Sequence, residues 1–302
     1  PTPSSAASDV YKRQILTNNL GVFANGLLFF VADDDNGREL WASDGTTSGT
    51  QMVKDIRPGY PSTQTYNPYD GLSSDHLVVL GNHVYFSAND GTNGTELWKS
   101  DGTASGTVMV KDIYSGGTNG LQNFALNRVA VLDNNIYFTA NDGTHGAELW
   151  KSDGTVSGTM MVKDINTNIL SSGYNANSMV SNTAMTATED MVLFSADDGT
   201  HGKELWRTDG TAAGTALVID LTPGSSSPGY PYSSVISHMT PMGELAFFYL
   251  YSNGAVNYKA AFVTDGTPEG TFAVVNSSSL GYISNMHRFT AIVDQMLSLI
   301  HI

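Results

Sequence analysis

The sequence predicts an all-β protein built from an array of similar four-stranded antiparallel sheets. The block Glu39–Thr46 recurs almost letter for letter from Glu96, Glu148 and Glu204, and a decayed copy occupies Ala260–Thr267. Successive copies of its aromatic residue are 57, 52, 56 and 56 residues apart, a period typical of repeated supersecondary units. Apolar residues within each unit alternate with period two, which indicates strands. The chain also contains 31 glycines, as expected of a turn-rich β protein.

The third unit shows the four predicted strands most clearly, at Arg128–Leu132, Asn135–Ala140, Ala147–Ser152 and Thr159–Ile165. Short connectors such as Asp133–Asn134 predict that consecutive strands pair antiparallel as a meander. A four-stranded sheet repeated at this period predicts a β-propeller-like array, and an open stack of β-sheets is the alternative. We expect one repeat domain over 15–296, with units of approximately 15–59, 60–117, 118–168, 169–224 and 225–279 and the start of a sixth at 280–296.

The Asp-Gly-Thr-x-x-Gly-Thr segment is predicted to form the turn between the third and fourth strands. Its aspartate should accept hydrogen bonds from backbone N–H groups, and Gly45 and Gly49 should permit positive φ. The aromatic anchor and the preceding leucine lie on opposite faces of their strand, so both should pack between neighbouring sheets. These structural positions are Trp41, Trp98, Trp150, Trp206 and Phe262 for the anchor, and Asp44, Asp101, Asp153, Asp209 and Asp265 for the turn.

The motif glutamates invite a pairing with lysines of the fourth strand, at Lys54, Lys111 and Lys163. The fourth unit departs from this pattern, because it keeps Glu204 and carries Ile219 at the lysine position. The fourth unit therefore counts against a glutamate–lysine pair as the role of the motif glutamate.

Both ends of the chain resemble translated sequencing adapter. Asp9–Gln14 is what GATGTGTATAAGAGACAG encodes, and Leu297–Ile302 is what its reverse complement encodes. We therefore exclude 1–14 and 297–302 from fold reasoning. The remaining residues are expected to be an internal, metagenomic-type fragment of a longer protein.

Composition narrows the classes of function. The formal net charge of −15 argues against nucleic acid as a partner, because phosphate binding requires basic surfaces. The absence of cysteine rules out disulfides and thiolate metal sites. No membrane span is visible in the sequence.

A meander places the connection between strands two and three at the same end as the loop that leads to the next unit. One end of the array should therefore gather acidic turns and long loops, and we name this end the loop face. Its tyrosines predict a binding surface for a carbohydrate or protein partner, because a tyrosine ring offers contact area together with a hydroxyl. The alternative is that these loops bind no partner and are simply exposed to solvent, with their tyrosines packed on the blades. The candidate binding residues are Tyr60, Tyr66, Tyr69, Tyr174, Tyr230 and Tyr232.

The acidic turns also offer oxygen ligands for Ca²⁺. The candidate ligands are Asp33, Asp35, Asp90, Asp142 and Asp198. A plain turn in which each aspartate caps its own backbone is the alternative, since no complete calcium-binding loop is present.

Catalytic motifs are missing from the sequence. No Gly-x-Ser-x-Gly elbow, phosphate-binding loop or zinc-type histidine spacing occurs, and His145 and His201 occupy the same repeat position. Paired carboxylates at the centre of a propeller could still form a glycosidase. We expect no catalytic residues.

The repeated block closely resembles the bacterial ELWxxDGT repeat, which occurs in tandem in large exported proteins. The resemblance covers units one to four well and unit five in part. It implies a propeller-like module of a secreted or cell-surface protein, and no defined catalytic residues. The expected function is a non-catalytic binding, adhesion or scaffold module. The alternatives are a propeller domain of an extracellular hydrolase or lyase acting on polysaccharide or peptide, and a spacer that only displays neighbouring domains.

Overall fold

The computed structural model describes residues 21–34, 37–58, 71–122, 124–126, 128–170, 175–179, 183–227, 230–252 and 259–276. Over these residues the chain forms strands and turns and no helix. The strands are β1 (Val22–Ala24), β2 (Leu27–Asp34), β3 (Gly37–Ser43), β4 (Gln51–Lys54), β5 (Val78–Leu80), β6 (His83–Asn89), β7 (Thr95–Ser100), β8 (Val108–Lys111), β9 (Leu121–Gln122), β10 (Ala130–Leu132), β11 (Asn135–Asn141), β12 (Ala147–Ser152), β13 (Met160–Lys163), β14 (Met185–Ala187), β15 (Val192–Asp197), β16 (Lys203–Thr208), β17 (Ala216–Ile219), β18 (Ser225–Ser227), β19 (Tyr230–Pro231), β20 (Ser234–Met242), β21 (Leu245–Ser252), β22 (Lys259–Thr264) and β23 (Phe272–Asn276).

Twenty of these strands form five four-stranded sheets with meander order, which we name blades 1 to 5. They are β1–β4, β5–β8, β10–β13, β14–β17 and β20–β23. The short strand β9 adds to blade 3 by pairing with β11, and β18 and β19 form a separate hairpin before blade 5. The predicted fold class, an all-β propeller-like array of four-stranded antiparallel blades, is confirmed. The predicted sixth unit and both adapter-like ends lie outside the described residues.

The strands of blade 3 match the sequence prediction to within about two residues at each end. The connector Asp133–Asn134 has positive φ at both residues, 46° and 62°. This is the backbone of the two-residue hairpin turn that suits the twist of antiparallel strands. Asparagine and aspartate tolerate positive φ better than other non-glycine residues, so the local sequence determines this turn.

The chain divides between Met109 and Val110 into two compact units. In the first, Phe29 and Leu40 of blade 1 share a core with Val84, Phe86 and Trp98 of blade 2. Interlocking apolar side chains from two facing sheets are the usual way to bury both. The first unit is therefore held by the packing of blade against blade.

Blade 4, in the second unit, buries both of its faces. Phe194 and Trp206 belong to one apolar cluster with blade 3, whereas Leu193 and Leu205 belong to another with blade 5. Trp206 is only 6% exposed. The prediction that the aromatic anchor and the leucine pack between neighbouring sheets is confirmed for this blade.

A bulge recurs in the ladder between the third and fourth strands, between the leucine and the aromatic residue of the motif. In blade 3, Trp150 lies opposite Met161, but Leu149 lies opposite Lys163. The same shift occurs in blades 1, 4 and 5. A bulge places two residues of one strand opposite one of its partner, so the lysine lies one position away from the glutamate that a regular ladder would have placed opposite it.

Candidate functional site: the loop face

The loops that follow the fourth strands of blades 1, 2 and 3 lie against the acidic turns of the blades that come next. A Cβ atom on Gly91 would lie 3.1 Å from Nε of Arg57, and one on Gly143 would lie 2.7 Å from the ring of Tyr114. Gly199 meets the side chain of Asn168 in the same way. All three loops precede the blade whose turn they touch, so the predicted gathering of acidic turns and inter-blade loops at one end is confirmed locally.

The Asp-Gly-Thr turns hold themselves together through the motif's own side chains. In blade 3, Asp153 Oδ1 accepts hydrogen bonds from Thr155 N at 2.8 Å and Thr155 Oγ1 at 2.7 Å. Thr155 Oγ1 also accepts from Gly158 N at 2.9 Å, and Ser152 and Thr159 exchange a hydroxyl hydrogen bond of 2.7 Å. The turn interpretation of the aspartates is confirmed, and the threonine hydroxyl at its centre was not foreseen.

The two motif glycines serve different purposes. Gly45 has the predicted positive φ, at 92°. The prediction for Gly49 is wrong, since its φ does not lie in the left-handed region; a Cβ atom there would lie 2.0 Å from Asp44 Oδ1. The second glycine is required because the carboxylate that organises the turn occupies the space of a side chain. The hydrogen bonds from Thr46 lower the pKa of Asp44, so the carboxylate is ionised in that position.

On the loop face, each acidic turn is capped by its aspartate. Asp142 Oδ1 accepts from the backbone N–H groups of Thr144 and His145, both at 2.9 Å, and Oδ2 lies 2.7 Å from Nδ1 of His145. Asp198 and His201 repeat this arrangement, and Asp90 uses the amide of Asn93 in place of the imidazole.

This capping alters both members of each pair. Burial raises the pKa of Asp142, but the hydrogen bonds from His145 and Thr144 outweigh it and leave the pKa below its usual value. The hydrogen bond to Asp142 raises the pKa of His145. Because His201 and Asp198 show the same shifts, the interpretation of these histidines as a turn preference is supported.

The predicted calcium ligands form separate turns. Asp90, Asp142 and Asp198 belong to three different blades and are occupied by their own turns, Asp33 lies in β2, and Asp35 lies outside the described residues. Across the part of the chain that the structure describes, no three His, Asp or Glu side chains are grouped so as to hold a metal ion. Calcium binding stays a prediction.

The motif glutamates are fully buried beneath the loop face. Glu148 is 0% exposed. Its Oε2 accepts from the backbone N–H of Ile165 at 3.0 Å, just after β13, and its Oε1 accepts from the N–H of Ser178 at 3.2 Å, on the far side of the same inter-blade loop. One carboxyl group therefore joins both stems of the loop, and we name this arrangement the glutamate clamp.

Blade 4 repeats the clamp with hydroxyl donors. Glu204 accepts from Leu221 N at 2.8 Å and Thr222 Oγ1 at 2.7 Å on one stem, and from Ser234 Oγ at 2.7 Å on the other. In blade 1 the side chain of Glu39 contacts Gly71, where a Cβ atom would lie 2.2 Å from Oε1. The clamp is thus formed in blades 3 and 4, whereas Glu39 of blade 1 lies beside its loop with neither carboxyl oxygen hydrogen-bonded to a described residue.

Burial raises the pKa of all three carboxyls. It raises the pKa of Glu39 to about 8 and those of Glu148 and Glu204 to about 7, although for Glu148 and Glu204 the hydrogen bonds from the loop stems act in the opposite direction. Moving a carboxylate out of water penalises its charged form. Near neutral pH these carboxyl groups therefore exchange protons with solvent.

Among the described residues, the motif glutamates do not pair with the fourth-strand lysines, as the departure of the fourth unit indicated. Lys111 and Lys163 cross to the next blade, where Nζ donates to the backbone carbonyls of Thr159 and Thr215, each at 2.8 Å. Lys111 also lies over the ring of Trp150, 5.7 Å from its centroid. The bulge in the ladder moves the lysine off the register of the glutamate, so the lysine supports the next blade.

A signal for this cross-blade contact was present in the sequence. Ile219 replaces the lysine of blade 4, and the aromatic residue of the following blade is Phe262 instead of tryptophan. The two departures occur together in the one pair of described blades that lacks the lysine, which matches the contact of Lys54 with Trp98 and of Lys111 with Trp150.

All six candidate tyrosines belong to the loops that follow blades 1, 3 and 4. Tyr60, Tyr66, Tyr69 and Tyr174 lie outside the described residues. Tyr230 is the first residue of β19, opposite Ser227 in the hairpin, and is 68% exposed. Tyr232 is half-buried, and its backbone N–H donates to Gly224 O at 3.1 Å. Of the two described tyrosines, Tyr230 is available to a partner, as the binding-surface interpretation predicts. Tyr232 packs on its own loop, as the alternative interpretation predicts.

None of the described residues belongs to a helix that is long and apolar enough to cross a membrane.

No protein-family model and no curated protein matches the chain. Among solved structures it is similar to TolB from Acinetobacter baumannii, with a TM-score of 0.38 and 12% identity over 80% of this chain and 50% of that one. It is also similar to a putative TolB from Agrobacterium tumefaciens, with a TM-score of 0.37 and 9% identity over 84% and 79% of the two chains. A third is prolyl oligopeptidase B from Galerina marginata, with a TM-score of 0.43 and 11% identity over 81% and 34%. The chain thus spans half the length of the Acinetobacter protein, and likenesses this weak carry no argument about activity.

Proposed function

We propose that this chain is a non-catalytic binding module that recognises a carbohydrate or protein through its loop face. The observation that carries the proposal is the β18–β19 hairpin, which presents Tyr230 to solvent at 68% exposure. An exposed tyrosine among serine, glycine and proline provides a flat apolar surface and a hydroxyl at little entropic cost. A spacer would have no need of such a residue in its loops.

The glutamate clamp supports the proposal because it fixes the base of this hairpin. Glu204 holds Thr222 before the hairpin and Ser234 after it. A loop whose stems are already ordered loses less conformational freedom when it binds a partner. The clamp therefore favours a preorganised recognition loop over a flexible one.

The cellular context follows from the repeat. Its likeness to the bacterial ELWxxDGT repeat supports a secreted or cell-surface protein, in which tandem blades display variable loops. Acidic turns surround these loops, so a neutral or cationic partner fits the face better than a polyanion.

A screen of the purified chain against glycan and protein arrays, with and without a calcium chelator, tests the proposal. We expect at least one ligand, and we expect Tyr230→Ala to weaken its binding by about tenfold or more, as for an exposed aromatic anchor. The matched control is Val156→Ala, since Val156 is 64% exposed on an Asp-Gly-Thr turn at the opposite end of its blade. Loss of binding in chelator would support the predicted calcium site.

Binding that survives Tyr230→Ala and fails with Val156→Ala would place recognition at the wrong end and contradict the proposal. Failure to bind any ligand in either buffer would favour the spacer. Turnover of a polysaccharide or peptide by the purified chain would favour the hydrolase or lyase alternative.

A further inference from the structure

In blades 2, 4 and 5 one apolar face turns toward the blade before it, and we name this face, together with the equivalent face of the other blades, the leading face. In blade 4 it consists of Val192, Phe194 and Ala196 on the second strand and Trp206 on the third. All four belong to one apolar cluster with residues of blade 3, among them Tyr137, Leu149 and Val162. In blade 4, the leading face is thus the surface that contacts blade 3.

The leading faces of blades 2 to 5 are buried alike. Their second-strand residues are all 0% exposed, and their aromatic anchors are 6–7% exposed. These residues are Val84, Phe86, Ala88 and Trp98; Ile136, Phe138, Ala140 and Trp150; Val192, Phe194, Ala196 and Trp206; and Ala246, Phe248, Leu250 and Phe262. The repeat therefore maintains this face for burial.

The leading face of blade 1 is different, since Leu28, Phe30, Ala32 and Trp41 are only partly buried. Phe30 and Trp41 stack with ring centroids 6.4 Å apart, as cross-strand partners on one face. Phe23 lies opposite Leu28 in the ladder, hence on the same face, and is 68% exposed. A contiguous apolar surface of this kind marks an interaction site.

The contact between the fourth-strand lysine of one blade and the tryptophan of the next indicates which partner the leading face of blade 1 would bind. Lys54 of blade 1 lies 5.7 Å from the centroid of the Trp98 ring and donates to Thr107 O at 2.9 Å. Lys111 makes the same two contacts with blade 3. In both cases the ammonium group from the preceding blade covers the tryptophan and binds the carbonyl of the last motif threonine. The equivalent groups in blade 1 are the ring of Trp41 and the carbonyl of Thr50.

We propose that the leading face of blade 1 is a docking surface for another blade of the same repeat, arriving from its amino-terminal side and carrying the fourth-strand lysine. The lysine would donate to Thr50 O and cover Trp41, and the apolar side chains of that blade would cover Phe23 and Phe30. A second copy of this chain fits less well. Its last blade carries Val275 at the lysine position, opposite Ala261 in the ladder. In this chain, the blade with an apolar residue at that position (Ile219 in blade 4) precedes a blade whose aromatic anchor is phenylalanine (Phe262) instead of tryptophan.

Trp41 fluorescence tests the proposal in the full chain. A copy of residues 118–168, which include Lys163, is joined ahead of Gly21, and Trp41→Phe is made in both the extended and the original chain. Subtracting the Trp41→Phe spectra isolates the emission of Trp41, and phenylalanine is tolerated at this position in blade 5. We expect the extension to shift Trp41 emission to shorter wavelength and to lower its acrylamide quenching constant to that of the buried tryptophans.

Two matched extensions test whether the lysine itself protects Trp41, beyond the burial that the apolar side chains of any added blade would provide. An added copy carrying Lys163→Met, and a copy of residues 169–224 with Ile219 at that position, should protect Trp41 less than the lysine-bearing copy. Equal quenching of Trp41 in the original and extended chains, with the added blade folded by circular dichroism, would overturn the proposal. So would light scattering that shows the original chain to be a dimer in which Trp41 is already protected.

Discussion

Replacing Glu204 with glutamine should change how the stability of the protein depends on pH. The carboxyl group is 0% exposed and accepts from Leu221 N, Thr222 Oγ1 and Ser234 Oγ. Glutamine has the same shape: its oxygen in the place of Oε2 can accept from Leu221 N and Ser234 Oγ, and its amide in the place of Oε1 can donate to Thr222 Oγ1, whose hydroxyl can rotate. The substitution therefore preserves the clamp and removes only its ability to ionise.

The expected magnitude follows from the pKa of the clamp. Burial raises the pKa of Glu204 from its ordinary value of 4.5 to about 7. The folded state then holds a proton that the unfolded state has released, so stability is greatest below about pH 4.5 and falls as pH rises to about 7. Each pKa unit is worth about 1.4 kcal/mol, so one clamp should lose about 3 kcal/mol across this range.

Thermal unfolding of the wild type and Glu204→Gln between pH 4.5 and 8.5 measures the effect. Since 1 kcal/mol shifts Tm by about 2–4 °C in chains of roughly this size, we expect the variant to gain about 6–12 °C relative to the wild type between the two limits. Glu39 and Glu148 titrate in both proteins, so the difference between the two curves isolates Glu204.

Glu189→Gln is the matched control, because it removes one carboxylate from an exposed turn of the same blade. It gives the baseline effect of a lost negative charge. If wild type and Glu204→Gln changed in parallel with pH, the clamp would be ionised in the folded state at all pH values, and the reasoning from burial would be refuted.

Three further substitutions test the turn and the blade contact by chemical unfolding. Gly158→Ala should cost about 1–3 kcal/mol, because its Cβ would lie 2.0 Å from Asp153 Oδ1 and displace the carboxylate; an unchanged midpoint would contradict the steric role. Thr155→Val should cost about 1–2 kcal/mol through the loss of the hydrogen bonds that its hydroxyl makes with Asp153 and Gly158, and retained stability would show that the backbone alone holds the turn. Lys111→Met should cost about 1–2 kcal/mol and raise the acrylamide quenching of Trp150, which the ammonium covers; unaltered quenching would argue against the contact.

Much of the fold could be read from local sequence. Period-two alternation located Asn135–Asn141 and Ala147–Ser152 to within about one residue, because a strand with two covered faces needs apolar residues on both sides. The residues of Asp133–Asn134 favoured the hairpin that forms. The Asp-Gly-Thr turn was also predictable, since all its hydrogen bonds join residues within one short segment.

The candidate site was predictable only in outline. Meander topology placed the acidic turns and the long loops at one end, and the loop tyrosines were named from composition. The clamp was missed because Glu148 binds Ser178, thirty residues away on the far side of a loop, and no local pattern encodes that distance.

The sequence by itself determined the strands, the turns and the repeat, because each depends on contacts within a few residues or on a period of apolar side chains. Only the tertiary structure decided what the polar residues of the motif do. One bulge moved Lys163 out of register with Glu148, so the lysine joins the next blade and the glutamate, buried without a cation, holds the loop in place.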